Sequence, residues 1–98
     1  MGKYLLLWEI DSTRLPVSRK ERAVGWSALL KFVKEDIKSG RTLHWGSFVG
    51  ELRGFSIIEG DEVEINIQLQ QYSPFVHFET HAIIGVEEVE KVIEAMQK

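Results

Sequence analysis

Apolar residues recur along this chain with two different periods, and the periods mark out its elements. Residues 4–10, Tyr-Leu-Leu-Leu-Trp-Glu-Ile, form an almost unbroken apolar run. Such a run predicts a strand buried on both faces, central in its sheet. Residues 11–17 connect it onward, with Pro16 as punctuation. From residue 18 to 39 the period lengthens: Ala23, Trp26, Leu30, Val33 and Ile37 recur at three and four, and Leu29 widens the stripe. That spacing draws one apolar face on a helix. Ser18 and Glu21 have the spacing of a capping box, Lys34 and Lys38 suit the dipole at the C-terminal end, and Gly40 fits the left-handed position beyond it. Gly25 costs about 1 kcal/mol relative to alanine inside a helix, so a close approach to a sheet is expected there.

Two more strands are predicted at residues 42–49 and 52–58, joined at Gly50-Glu51, where Gly50 can take a positive φ. Gly46 and Gly54 interrupt them and mark either bulges or close approach. Residues 75–84 form the last strand, and residues 86–96 a short terminal helix with Val89, Ile93 and Met96 as its seam. Residues 62–72 read both ways. Val63, Ile65, Ile67 and Leu69 alternate with polar residues as in a strand, whereas Ile65, Leu69 and Tyr72 also align on one side of a helix that Asp61 could cap. The local pattern favours strand. The order of elements favours helix, because a strand, a helix and a hairpin want a second helix before a last strand. The expected fold is therefore α+β: a ferredoxin-like βαββαβ sandwich with an antiparallel sheet and an added C-terminal helix.

Composition narrows the function classes. A chain of 98 residues is one domain spanning residues 1–98, small enough that a partner covering a sheet face would help it. There is no cysteine, which excludes disulfides, iron–sulfur clusters and Cys-ligated zinc. The first residues lack the length and cleavage pattern of a signal peptide, and nothing approaches a membrane span, so a cytoplasmic protein is expected. Net charge is −3, and the basic residues read as a solvated helix surface; neither nucleic acid nor membrane is an expected partner. The glycines form no GxGxxG or P-loop pattern, and no nucleophile elbow or HExxH motif occurs. No cofactor is expected.

Candidate chemistry concentrates in the last strand. Alternation puts Val76, Phe78, Thr80 and Ala82 on one face and His77, Glu79, His81 and Ile83 on the other. The apolar set should meet the helices. Residues i and i+4 in a strand lie about 13 Å apart, so His77 and His81 cannot easily share a metal ion. Either could pair with Glu79, raise its own pKa and hold a proton acceptor ready; equally, the three could be a polar lining without chemistry. His44 and Trp45 in the second strand, and Trp8 and Glu9 in the first, are candidate pocket residues with the same two readings.

The runs 43–60 and 61–83, with His44, the approach Ser73-Pro74-Phe75 and Glu79, resemble the dimeric α+β-barrel superfamily, nearest its muconolactone isomerase-like and YCII-like branches and a related group of small uncharacterised bacterial and archaeal proteins. The resemblance implies a homodimer whose sheets lie together as a dimeric α/β barrel, with residues 62–72 helical. It implies a cofactor-independent, isomerase-like enzyme moving a proton on a small organic acid, lactone or ring compound. Glu79, with His77 or His81, would then be the base and His44 an acid or orienting group, with Trp8, Trp45 and Glu9 lining the pocket. The alternatives are a non-enzymatic homodimer binding a small apolar or acidic ligand, and a haem-binding or monooxygenase-like member.

Overall fold

The computed structural model describes residues 2–98. The elements run β1 (Gly2–Ile10), a 3-10 turn (Ser12–Arg14), α1 (Arg19–Lys38), β2 (Thr42–Ser47), β3 (Arg53–Gly60), α2 (Glu62–Gln70), β4 (Val76–Ile83) and α3 (Val86–Met96). The strands make one antiparallel sheet in the order β2-β3-β1-β4. This is the ferredoxin-like arrangement expected for βαββαβ. The apolar run of β1 is indeed central, paired with β3 on one side and β4 on the other.

The sheet is not the barrel that the resemblance implied. β2 pairs with β3 alone and β4 with β1 alone, so both outer strands keep a free edge and the sheet stays open. Closure would require those edges to be paired. The dimeric α/β barrel is therefore withdrawn, and the open ferredoxin-like α+β sandwich stands in its place. Among the described residues, no helix is long and apolar enough to cross a membrane.

Local rules account for most element boundaries. Ser18 Oγ accepts the Glu21 N–H at 3.4 Å and starts α1. Gly40 takes φ 84° just past its end, and Gly50 takes φ 78° in the β2–β3 turn. Asp61 Oδ1 accepts the Glu64 N–H at 2.8 Å, which settles residues 62–70 as helix. Val63 and Ile67, half of the alternating set, stay exposed on α2, while Ile65 is buried with Leu6 and Ile58. Gly25 departs from expectation: it is exposed, with no atom within 4 Å of where a Cβ would stand.

Register assigns the faces. Tyr4, Leu6 and Trp8 of β1 pair with Ile58, Ser56 and Gly54 of β3 and with Ala82, Thr80 and Phe78 of β4. These residues face α1 and α2. Leu5 and Leu7 pair with Ile57 and Phe55, and with His81 and Glu79, on the opposite, uncovered face. Every residue of α3 is exposed. The molecule measures 61 × 25 × 19 Å. Its long axis is about twice the length of α1 or of β1, each near 30 Å.

Candidate functional site: the cleft beneath α1

Between α1 and the sheet lies a cleft of about 320 Å³. Its floor is made by a glycine. Gly54 is the cross-strand neighbour of Trp8, and a Cβ there would overlap both the Trp8 ring and the Gly46 carbonyl. With no side chain at Gly54, the Trp8 indole lies across β3 and reaches the next strand. There it stacks on Trp45, with ring centroids 5.4 Å apart and planes 8° from parallel. The Trp8 Nε1–H donates to the Phe55 carbonyl at 3.2 Å, which fixes the ring and satisfies its polar edge. Phe55 in turn lies over Gly46 on the other face. Trp26, Leu29, Leu30 and Val33 of α1 form the roof. Trp26 and Leu30 are 46% and 39% exposed, so α1 does not seal the space.

One end of the cleft is polar. The Asp36 carboxylate, 2% exposed, accepts from Tyr72 Oη at 2.9 Å, Gln71 Nε2 at 3.1 Å and Arg41 Nη2 at 3.2 Å. A buried carboxylate needs such partners, and these tie α1 to the end of α2. Burial, followed by the Asp36 carboxylate beside it, pushes the Tyr72 hydroxyl well above its ordinary pKa. Thr42, Ser56 and Gln68 add buried polar side chains, with Gln68 Nε2 donating to Thr42 Oγ1 at 3.4 Å. Sequence reasoning missed Asp36 although a signal was present. It follows Val33 by three and so falls on the apolar stripe of α1, where a carboxylate is out of place unless paired.

The residues expected to do chemistry fall on two sides of the sheet. Trp8 and Trp45 line the cleft. Trp45 pairs with Ser56, whereas His44 pairs with Ile57 and so shares the uncovered face with Leu5 and His81. Glu9 and His77 are register partners on that face too, as are Leu7 and Glu79. His81 Nε2 stands 3.5 Å from Glu79 Oε2, with both side chains more than half exposed. His77 turns instead to Asp11, Nε2 to Oδ2 at 3.4 Å. Hydrogen bonds from the Thr13 hydroxyl and backbone hold the Asp11 carboxyl below its usual range, and His77 lowers it further. The structure thus brings the two tryptophans together, and it puts the three histidines, Glu9 and Glu79 on the other face of the sheet, where His81 approaches Glu79 and His77 approaches Asp11 but His44 stands apart on β2. Among the described residues, no cluster of His, Asp or Glu is arranged to hold a metal ion. A second, shallower groove lies between α2 and β4, along Tyr4, Asn66 and Thr80.

The chain matches no known protein family and no curated protein. The resemblance to the dimeric α+β-barrel superfamily is therefore withdrawn as well as the barrel. Of the features that carried it, the element order stands, as a ferredoxin-like arrangement; the runs 43–60 and 61–83, with His44, Ser73-Pro74-Phe75 and Glu79, do not show the superfamily.

Proposed function

We propose that this protein binds a small, neutral, largely apolar ring compound in the cleft beneath α1, without catalysing a reaction on it. The observation that carries this reading is the stacked Trp8–Trp45 floor under a space of about 320 Å³. Ligand sites are concave and mostly apolar, with a few placed polar groups. A cavity of about 150 Å³ holds one benzene, so this cleft suits a fused two-ring molecule. Ser56, Thr42 and Gln68 offer hydrogen bonds at the polar end. The Asp36 carboxylate is already matched by three donors, which disfavours an anionic ligand reaching that far. Acid–base catalysis has less support, because Glu79, His77, His81 and His44 stand across the sheet from the apolar wall that would hold a substrate.

The test uses 2-naphthol and the indole N–H signals of Trp8, Trp26 and Trp45 in a nitrogen–proton correlation spectrum. All three are expected to shift saturably below about 1 mM, the affinity of a weak specific ligand. Trp45→Ala should weaken binding about two- to tenfold, from a stacking contribution of ~0.5–1.5 kcal/mol. Glu79→Gln and His44→Gln should leave affinity within about twofold. No shift in any indole signal would defeat the cleft reading. Loss of binding in Glu79→Gln would move the site to the other face.

A further inference from the structure

We infer that the ligand of the cleft beneath α1 is a neutral bicyclic lactam, whose C=O and N–H lie side by side on one ring edge and are read by Ser56 and Gln68. This deepens the cleft reading and rests on it. Three polar side chains set into an otherwise apolar wall carry the inference. Ser56 of β3, Thr42 of β2 and Gln68 of α2 are 5%, 6% and 8% exposed, and all three line the cleft. A polar group buried to that degree costs free energy unless it is paired. Their one contact with one another is Gln68 Nε2 donating to Thr42 Oγ1 at 3.4 Å. It leaves the Gln68 carbonyl oxygen and the Ser56 hydroxyl without a partner among the described residues. The sealed side-chain atom that lacks a partner is Arg22 Nε, so the Ser56 and Gln68 oxygens open into the cleft they line.

Register sets the spacing. On the helix-facing side of β3, Gly54 lies under the Trp8 indole, Ser56 is the partner of Trp45, and Ile58 is the partner of Thr42. Alternate residues of a strand are about 6.6 Å apart, a step close to the length of a two-ring skeleton. A ring resting on the Trp8–Trp45 pair therefore ends its far edge among these polar groups. Ser56 and Thr42 are diagonal neighbours across β2 and β3, with backbones about 7–8 Å apart, and the Gln68 amide reaches Thr42 from α2. That edge lies between a hydroxyl on the sheet and an amide oxygen on a helix.

The chemistry of the two groups selects a lactam. A ketone or an ester offers the Ser56 hydroxyl an acceptor and offers the Gln68 oxygen nothing. A phenol places both roles on one oxygen, whereas Ser56 and Gln68 belong to different elements. A cyclic amide separates the roles in fixed geometry: its C=O accepts from the Ser56 hydroxyl while its N–H donates to Gln68 Oε1, and neither bond orders a rotor of the ligand. Charge excludes ionic ligands. The lining contains no Lys, Arg or His, and its charged members are Asp36 and Glu51. An anion would meet carboxylates without a counterion. Asp36 already accepts from Tyr72, Gln71 and Arg41, so it offers no free counter-charge to a cation.

2-Quinolone and coumarin test this, because they share one shape and differ in carrying N–H or O at a single ring position. Binding is followed by the indole N–H signals of Trp8, Trp26 and Trp45. The native chain is expected to bind 2-quinolone at least about tenfold more tightly than coumarin, which leaves the Gln68 oxygen unpaired. Gln68→Met should bring the two affinities within about twofold of each other, because the acceptor that told them apart is gone. Ser56→Ala should weaken both compounds alike and preserve their ratio, because both keep the carbonyl. Equal affinities in the native chain would overturn the lactam assignment and leave the cleft reading standing. A preference for 2-quinolone that survives Gln68→Met would overturn it too. Shifts from neither compound would defeat the cleft reading, and the lactam with it.

Discussion

Tyr72 joins the end of α2 to both α1 and β4. Its hydroxyl donates to Asp36 on α1, and its ring meets Phe32 of α1 and Phe78 of β4 edge-on at 6.0 and 5.8 Å. Burial and the adjacent carboxylate both favour the neutral phenol, so its folded pKa lies above the unfolded value of about 10. A group raised in this way contributes stability that is fully present below the unfolded pKa and is lost above it. Above about pH 10 the unfolded chain releases the phenolic proton while the folded chain keeps it. Stability should then fall by up to about 1.4 kcal/mol per pH unit from this residue. Urea denaturation between pH 8 and 11 measures that slope. Tyr72→Phe should flatten the alkaline limb while lowering stability at pH 7 by about 1–3 kcal/mol, since a buried carboxylate loses one of its donors.

At the scale of elements, two glycines of the same chain call for opposite outcomes. Gly25 is helical, exposed and free of neighbours, so Gly25→Ala should stabilise the protein by up to about 1 kcal/mol through helix propensity. Gly54 sits under the Trp8 indole in a strand, so Gly54→Ala should destabilise by about 1–3 kcal/mol as the ring is displaced. Thermal unfolding of the pair measures both. The sequence pattern does not tell these glycines apart, because what separates them is a cross-strand neighbour 46 residues away. The same limit decides how much else was legible. Alternation in β4 was enough to put Val76 and Phe78 toward the helices and His77, Glu79 and His81 away from them. In β1 it was not, since Leu5 and Leu7 are as apolar as Leu6 and Trp8, and the side that Trp8 takes depends on its register with Gly54 and Phe78. In β2 the irregularity between Thr42 and His44 shifts the alternation, so the parity of His44 and Trp45 follows from pairing with β3. The candidate site was thus half visible: its two tryptophans could be named, and their separation from the histidines could not. Residues 62–70 became readable as helix through element order and the Asp61 cap, against an alternation that leaves Val63 and Ile67 in water.

For the whole molecule, an open sheet carries an obligation that a closed one does not. Its outer strands each present a line of unpaired backbone donors and acceptors, which is the template for adding strands from other chains. β2 is only six residues long and is broken by the irregularity at Thr42 and His44. β4 is eight residues long and regular, and its defence is chemical: His77, Glu79, Thr80 and His81 keep the longer edge polar and exposed. Polar residues flanking an apolar strand act as gatekeepers against fibrils in general, and His77, Glu79 and His81 are placed for that role. Val76 and Phe78 already alternate with these positions, so removing the polar residues would leave a β-prone apolar segment on a free edge. The variant His77→Val, His81→Val should fold and then aggregate, raising thioflavin T fluorescence and light scattering at concentrations where the native chain stays clear. Equal clarity of the two proteins would show that the edge is guarded by something other than these histidines.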